Sequence, residues 1–426
     1  MIKVSDQLKQ LHTRLDPERP LDRPDLYVEG PDSPSARIAG EILYNTARRS
    51  KYLLVGARGV GKSTELRRLA QRLAPSFCVE TVDLDAAGIT ASSVTAFDLL
   101  YLCGVALLRP LRQADAKRAA ALFTRLRAAY AREAPASDLG TLSQALEGLG
   151  SFAGTVGEVA ADSIAPGIGK VLGATVKGIR LLTRGDLVPE SSPAGHRLLL
   201  TCAEIAQALR ERRDAAPLCV LIDGLEKMNG EANDRFRQVF EYTRLLADAP
   251  FTLIIAAPPS TLTVVDSVLN LGYQLVTVWG FPHAPALLDR MACLRFEDVG
   301  LNPEVTLPPP LRQLAIEASG GLPRHLIQIL ERAVLSAGQA GRAALNATDV
   351  DGGILTLGRR LAQAVGERHV ALLLKVDATG RLPTDELVPS LFASGRILAL
   401  PPEAHTLATR YCAHPLIKRA FFPPTP

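Results

Sequence analysis

The chain predicts an α/β protein built on a parallel sheet, with a large helical insertion, a helical lid and a small winged-helix-like C-terminal module. Three observations carry that expectation. A glycine-rich loop, Gly56 to Thr64, stands between an apolar run and a segment of helical periodicity. Four further apolar runs of strand length follow between Phe77 and Val278. From His283 onward helical spacing takes over. Continuous apolar strands separated by helices indicate a parallel sheet covered on both faces.

The first strand is read at Tyr52-Leu53-Leu54-Val55. It leads into Gly56-Ala57-Arg58-Gly59-Val60-Gly61-Lys62-Ser63-Thr64, which matches the phosphate-loop pattern G-x-x-x-x-G-K-[ST]. Leu66, Leu69, Ala70 and Leu73 then recur at helical spacing until Pro75. Glycines let the backbone curl so that successive N–H groups face phosphate oxygens, and the helix N-terminus adds its dipole. In such a loop Lys62 reaches the β- and γ-phosphates, and the Ser63 hydroxyl holds Mg²⁺. Arg58 and Val60 fill the variable positions, where an arginine either contacts phosphate or faces solvent. The sequence therefore predicts a P-loop NTPase core that binds a nucleoside triphosphate.

The remaining strands are expected at Phe77–Leu84, Leu218–Asp223, Phe251–Ile255 and Gln274–Val278. Phe236, Val239, Phe240 and Leu246 suggest a crossover helix before the fourth strand. Asp223, closing the third strand, is the expected second anchor for the Mg²⁺ that Ser63 also reaches. Hydrolysis further needs a carboxylate that orients water. Gly224 follows Asp223, so Glu226 is the nearest candidate; the alternative is a solvated carboxylate capping the next helix. Ser260, after the fourth strand, either senses the γ-phosphate or sits in a proline-set turn.

Lys62 and Asp223 lie 161 positions apart, whereas two strand–helix–strand crossings need roughly 60 residues. The excess, about 94–216, reads as a mostly helical insertion. Its first half carries seven Arg/Lys from Arg109 to Arg132 against Asp115 and Glu133. That run either tracks nucleic-acid or lipid phosphates or forms the solvated face of an alanine-rich helix. Its second half, residues 141–182, is rich in glycine and alanine, with Gly150/Gly154 and Gly169/Gly173 four apart. Small residues at that spacing let helices pack closely, in a membrane or in an oligomer.

Beyond 283, Leu287, Leu288, Met291 and Leu294 form one amphipathic stretch, and Leu311, Leu314, Ala315 and Ala318 another. Ser319-Gly320-Gly321-Leu322-Pro323-Arg324 then opens a helix. A cation at a helix start opposes the dipole, which favours a phosphate-binding role for Arg324. The last ~70 residues alternate short helices with turns at Gly380, Pro383 and Gly395, and an apolar strand pair near Ile397-Leu398.

Composition sets outer bounds. Of 426 residues 47% are hydrophobic and 22% charged, ordinary for a folded soluble chain, and a net charge of +4 does not point to nucleic acid. Six scattered cysteines without a C-x-x-C pair argue against a zinc site or disulfide framework and for a reducing, cytoplasmic compartment. Val4, Leu8, Leu11 and Leu15 share one helical face of an N-terminal arm that has no signal-peptide core. The expected division is an arm at 1–25, the core at 26–282, the lid at 283–352 and the winged-helix-like module at 353–426.

The loop Gly56–Thr64, the strand end Leu221-Ile222-Asp223-Gly224-Leu225-Glu226 and the helix opening Gly320-Gly321-Leu322-Pro323-Arg324 together resemble the AAA+/STAND group of bacterial P-loop ATPases. The likeness is to its origin-recognition-like and transposition-regulator-like members. It implies ATP and Mg²⁺ as cofactors, Lys62 and Ser63 as the phosphate-loop pair, Asp223 as the Mg²⁺ aspartate and Arg324 as the lid arginine. It also implies that Gly321 and Pro323 lie beside the adenine. Gly224, where active AAA+ motors carry a second acid, and the lack of arginine in about 261–271 point to a nucleotide switch rather than a ring motor. Three functions follow as expectations. The first is a regulatory ATPase that closes its lid on ATP and engages a protein partner or itself. The second is a DNA-binding initiator-type ATPase. The third is a membrane-associated defence-type switch using the Gly/Ala hairpin.

Overall fold

The computed structural model describes residues 4–17, 23–30, 33–84, 94–131, 193–212, 216–225, 244–258, 261, 265–280, 284–400 and 409–422. The chain divides into two compact units: Ser35–Val55 with Leu69–Val276, and Met1–Pro34 with Gly56–Arg68 and Thr277–Pro426.

The first of these holds the sheet. Its strands are β1 (Lys51–Val55), β2 (Cys78–Asp83), β3 (Leu218–Asp223), β4 (Thr252–Ala257) and β5 (Tyr273–Thr277), in spatial order β2-β3-β4-β1-β5. The pairs β2–β3, β3–β4 and β4–β1 are all parallel, so the α/β expectation holds. Every residue of β1 and β4 is buried, as are five of the six in β3. Leu, Ile and Val predominate there because both faces are covered; each such side chain contributes about 1.5–3 kcal/mol on burial.

Helix α2 (Pro34–Tyr44) precedes β1, α3 (Lys62–Leu73) follows the loop, and α7 (Val265–Asn270) precedes β5. Between β2 and β3 the described chain forms α4 (Ala96–Ala114), α5 (Ala116–Ala131) and α6 (Pro193–Arg212). These three pack on one another and share a core with the sheet through Leu99, Leu107, Leu126 and Ile205. Thr95 and Asp98 form a capping box at the start of α4, and the buried Asp98 also accepts from Tyr130 Oη on α5. The Gly/Ala-rich segment 141–182 and most of the expected crossover helix lie outside the described residues; Leu246 is buried in the core.

The basic run of α4 and α5 carries partly exposed arginines that meet carboxylates. Arg109 pairs with Glu80, Arg118 with Glu211 and Arg125 with Glu204, while Arg212 pairs with Asp115. Arg132 lies outside the described residues. All six cysteines are free and five are buried, Cys219 among them, as expected for a strand interior.

In the other unit α1 (Val4–Arg14) buries Leu8 and Leu11, with Leu15 just beyond its end, and packs on α11 (Pro323–Gln339). Gln7 Nε2 donates to the Val299 carbonyl at 3.0 Å, and Arg14 and Arg23 both pair with Asp298. The lid helices are α8 (Pro285–Glu297), α9 (Pro303–Thr306), α10 (Pro309–Ala318), α11 and α12 (Ala347–Ala362). Arg312 on α10 is buried and ties three of them together: its guanidinium donates to Asp289 at 2.7 Å and Glu304 at 2.8 Å, and to the Leu307 carbonyl at 3.0 Å. After α12 come α13 (Glu367–Thr379), α14 (Val388–Ala393), the antiparallel pair β6 (Ile397–Leu400) and β7 (Arg410–Ala413), and α15 (Pro415–Phe421). The two-stranded element near Ile397 is thus present, with α14 before it and α15 after it. Among the described residues no helix is long and apolar enough to cross a membrane.

Candidate nucleotide site

The loop is shaped by backbone demands that only glycine meets. Gly59 and Gly61 have φ of +84° and +109°, a region L side chains avoid. A Cβ on Gly59 would lie 2.5 Å from Arg324 Cβ and 2.8 Å from its Cδ. One on Gly61 would meet nothing within 4 Å, so the backbone there borders open space, as a phosphate cradle must. Gly56 is hemmed in differently: its Cβ would sit 2.5 Å from the Val278 carbonyl oxygen. Helix α3 starts at Lys62, with the Glu65 N–H donating to the Gly61 carbonyl at 2.9 Å.

Lys62 is buried, and its ammonium donates to the carbonyls of Gly56 at 2.8 Å and Ala57 at 3.1 Å. The loop therefore holds its lysine by its own carbonyls, which keeps the charge inside the curl rather than in bulk solvent. Val60 is buried with it, Ser63 and Thr64 are half-buried, and Arg58 is exposed.

The lid helix docks on this loop. Leu322 gives α11 no side-chain cap, and Pro323 occupies its first turn without an N–H. The next N–H, that of Arg324, donates to the Gly59 carbonyl at 3.2 Å. One of the orphan donors of a helix N-terminus is thereby satisfied by the phosphate loop itself. The arginine stem lies against Gly59, and its Nε donates to the Pro17 carbonyl at 2.9 Å. Gly320 and Gly321, both at positive φ, make the turn that delivers Pro323 and Arg324. Gly321 also approaches Gly280, whose Cβ would lie 3.2 Å from the Gly321 carbonyl oxygen.

Sequence reasoning missed three groups here. Tyr27 Oη donates to Glu65 on α3 at 2.6 Å, Ser33 Oγ donates to the same carboxylate at 3.3 Å, and the Arg68 guanidinium lies 4.6 Å over the Tyr27 ring. Burial and the Glu65 carboxylate push the Tyr27 hydroxyl up to about 12. Val278 and Gly280 close on the loop and on Gly321; an apolar residue and a glycine straight after a strand were the only signal. His325, adjacent to Arg324, meets His414 with Nδ1 to Nε2 at 3.0 Å. Both rings are buried and held below the usual histidine range, by desolvation first, His414 to about 4. The Leu416 N–H donates to His414 Nδ1 at 3.2 Å, so the proton of the neutral ring sits on Nε2, facing His325 and the Ser319 carbonyl.

In the sheet unit, Asp223 ends β3 half-buried, and its Oδ1 accepts from the Gly224 N–H at 3.0 Å. In parallel register beside it β2 ends in Asp83, so two neighbouring strand tips carry aspartate. Only Asp223 was expected from the sequence to anchor Mg²⁺. Glu226 and Ser260 lie outside the described residues. The glycine curl, the enclosed lysine and the half-buried Ser63 hydroxyl fit a polyphosphate tail with Mg²⁺, whose chemistry would be to neutralise phosphate charge.

Fold and loop together define an α/β P-loop protein. No family model matches the chain, and no curated protein matches it. Among solved structures it is similar to ORC2 of Aeropyrum pernix in its ADP form, at 15% identity and a TM-score of 0.39, covering 95% of this chain and 94% of that one. It is similar also to Cdc6p of Pyrobaculum aerophilum, at 12% identity and a TM-score of 0.41 over 96% and 95% of the two chains. A third is A. pernix ORC1 in complex with DNA, at 13% and 0.39 over 99% and 97%. Likenesses this remote carry no weight in the functional reading, which rests on the loop and the groups seated against it.

Proposed function

We propose that the chain is an ATP-binding regulatory ATPase of the AAA+/STAND type, a nucleotide switch with slow or conditional hydrolysis. The observation that carries this is the seating of α11 on the phosphate loop: the Arg324 N–H is bonded to Gly59 and its side chain lies over the same residue. A γ-phosphate in the loop would give the Arg324 guanidinium a bidentate partner, and its loss would remove it. That differential contact is what a switch needs.

In this reading Lys62 and the Gly56–Thr64 backbone hold the phosphates, Ser63 and Asp223 hold Mg²⁺, Pro323 borders the base and Glu226 orients water. Trp279, the chain's single tryptophan, adjoins Val278, the residue that closes on Gly56. ATP titration should therefore change its fluorescence, and Lys62→Ala should abolish the change along with ATP turnover. Full binding and turnover by Lys62→Ala would end the proposal. Size-exclusion with light scattering, run apo, with ADP and with a non-hydrolysable ATP analogue, reads whether the switch acts through self-assembly.

The DNA-engaging alternative has to draw on groups other than Arg109, Arg118 and Arg125, which already face carboxylates of their own unit. A salt-sensitive DNA shift would restore it. The membrane alternative rests on residues 141–182, and liposome flotation with and without them decides it.

A further inference from the structure

A second concavity lies at the amino end of the sheet, where β1, β3 and β4 begin. It encloses about 320 Å³ and is lined by Thr46, Arg48, Arg49, Arg210, Phe251 and Thr252, among others. That volume is at the lower end for small-molecule sites. Three arginines converge on it, and among the described residues none of them makes an ion pair. The contrast with nearby arginines is sharp, because Arg109, Arg118, Arg125 and Arg212 each meet a carboxylate. Arg210 makes one hydrogen bond, to the Pro250 carbonyl at 3.0 Å.

The surroundings fix this cluster rather than relieve it. Directly beneath, the buried Lys51 ammonium donates to the carbonyls of Phe251 at 2.6 Å, Ala249 at 2.9 Å and Arg49 at 3.1 Å. It thus pins the residue 49 backbone to the segment entering β4. Burial, with the Arg49 charge next, pushes Lys51 down to about 8. The same two causes, in the same order, hold Arg210 below its ordinary value. Two carboxylates of the described residues are near: Asp248 bears on Lys51 and Tyr273, and Glu41 accepts from Tyr52, which also feels the Arg48 charge; neither pairs with any of the three arginines. Like charges gathered in a cleft with no counter-ion paired to them among the described residues favour an anion from outside. Guanidinium forks match the oxygens of a phosphate bidentately, which an ammonium cannot do. Thr46 and the buried Thr252 also line the cleft.

We propose that Arg48, Arg49 and Arg210 form a binding site for a small phosphomonoester, of sugar-phosphate size, separate from the phosphate loop. The cleft volume suits such a ligand and is small for a nucleic-acid strand. The inference stands whether or not Gly56–Thr64 binds nucleotide.

The test is isothermal titration of the full chain with ribose 5-phosphate, repeated with inorganic phosphate and with a short single-stranded oligonucleotide. Ribose 5-phosphate should bind wild type, weaken by about tenfold or more in Arg48→Ala/Arg49→Ala and in Arg210→Gln, and be untouched by Lys62→Ala. Arg210→Lys should recover part of the loss, since charge returns without the fork. Thermal melting without ligand checks that the variants fold. The site is overturned if wild type binds no ribose 5-phosphate at millimolar concentration, if the arginine variants bind it equally, or if Lys62→Ala removes it. Binding of the oligonucleotide alone would overturn it too, in favour of nucleic acid.

Discussion

Alanine at Gly59 and alanine at Gly61 are the same change in one loop, yet the structure separates their consequences. Both positions hold positive φ, so either substitution should cost about 1–2 kcal/mol of backbone strain. Only at Gly59 does the new methyl meet an obstacle, Arg324 Cβ at 2.5 Å. That atom is fixed to the first turn of α11 and cannot swing aside, so overpacking adds about 1–3 kcal/mol. Gly61 has open space and should carry the strain alone. Without nucleotide, Gly59→Ala should therefore melt several degrees below Gly61→Ala in thermal denaturation followed by circular dichroism. With nucleotide the order changes character. Gly61→Ala places its methyl where phosphate would lie and should lose ATP and ADP alike. Gly59→Ala displaces Arg324 and should lose chiefly the preference for ATP over ADP, read from Trp279 fluorescence. Equal melting of the two variants would refute the docking of α11 on the loop, and an unchanged ATP preference in Gly59→Ala would refute the sensing role of Arg324.

Other outcomes follow from the same contacts. His414 is held to about 4 in the fold against about 6.5 in an unfolded chain, so the folded state resists the proton. Stability should be full above pH 6.5 and fall as pH drops from there toward 4, by about 3 kcal/mol if the buried pair is not otherwise relieved. Urea midpoints across that window measure it, with His414→Asn expected to flatten the curve only in part, since the buried His325 is held low as well, and the His325→Asn/His414→Asn pair as the flat control. Tyr130→Phe keeps the stack on Tyr101 at 4.2 Å but strips one donor from the buried Asp98, so about 1–2 kcal/mol should be lost in denaturant titration. Leu11→Asp puts a charge on a fully buried face of α1; the arm should detach, raising protease sensitivity before residue 24 and releasing Arg324 from Pro17. A change in ATP affinity without loss of helical signal would show that the arm positions that arginine.

What could be read from the residues alone was whatever chemistry is local. The apolar runs of β1 and β3, the loop between β1 and α3, and the glycine pair before α11 are short-range patterns, and each appears where spacing places it. The ends of strands are less local. β1 begins at Lys51 because three backbone carbonyls satisfy a buried ammonium, an arrangement no periodicity reports. β4 runs on to Ala257 because the parallel register with β1 continues that far. Counting positions made residues 94–216 look like an excess, yet α4, α5 and α6 contribute Leu107, Leu126 and Leu209 to the same core as the sheet. The arginines of α4 and α5 read as a phosphate track or a solvated face because their carboxylate partners lie on β2 and α6. Arg324 shows the opposite case. A cation at a helix start is unfavourable on dipole grounds, and that local cost was read as favouring a phosphate-binding role. The compensation is non-local: the Gly59 carbonyl takes the backbone N–H, the Pro17 carbonyl takes Nε, and the stem covers a glycine that has no side chain to oppose it. The sequence could show that something must offset the dipole, and only the assembled loop, arm and helix show what does.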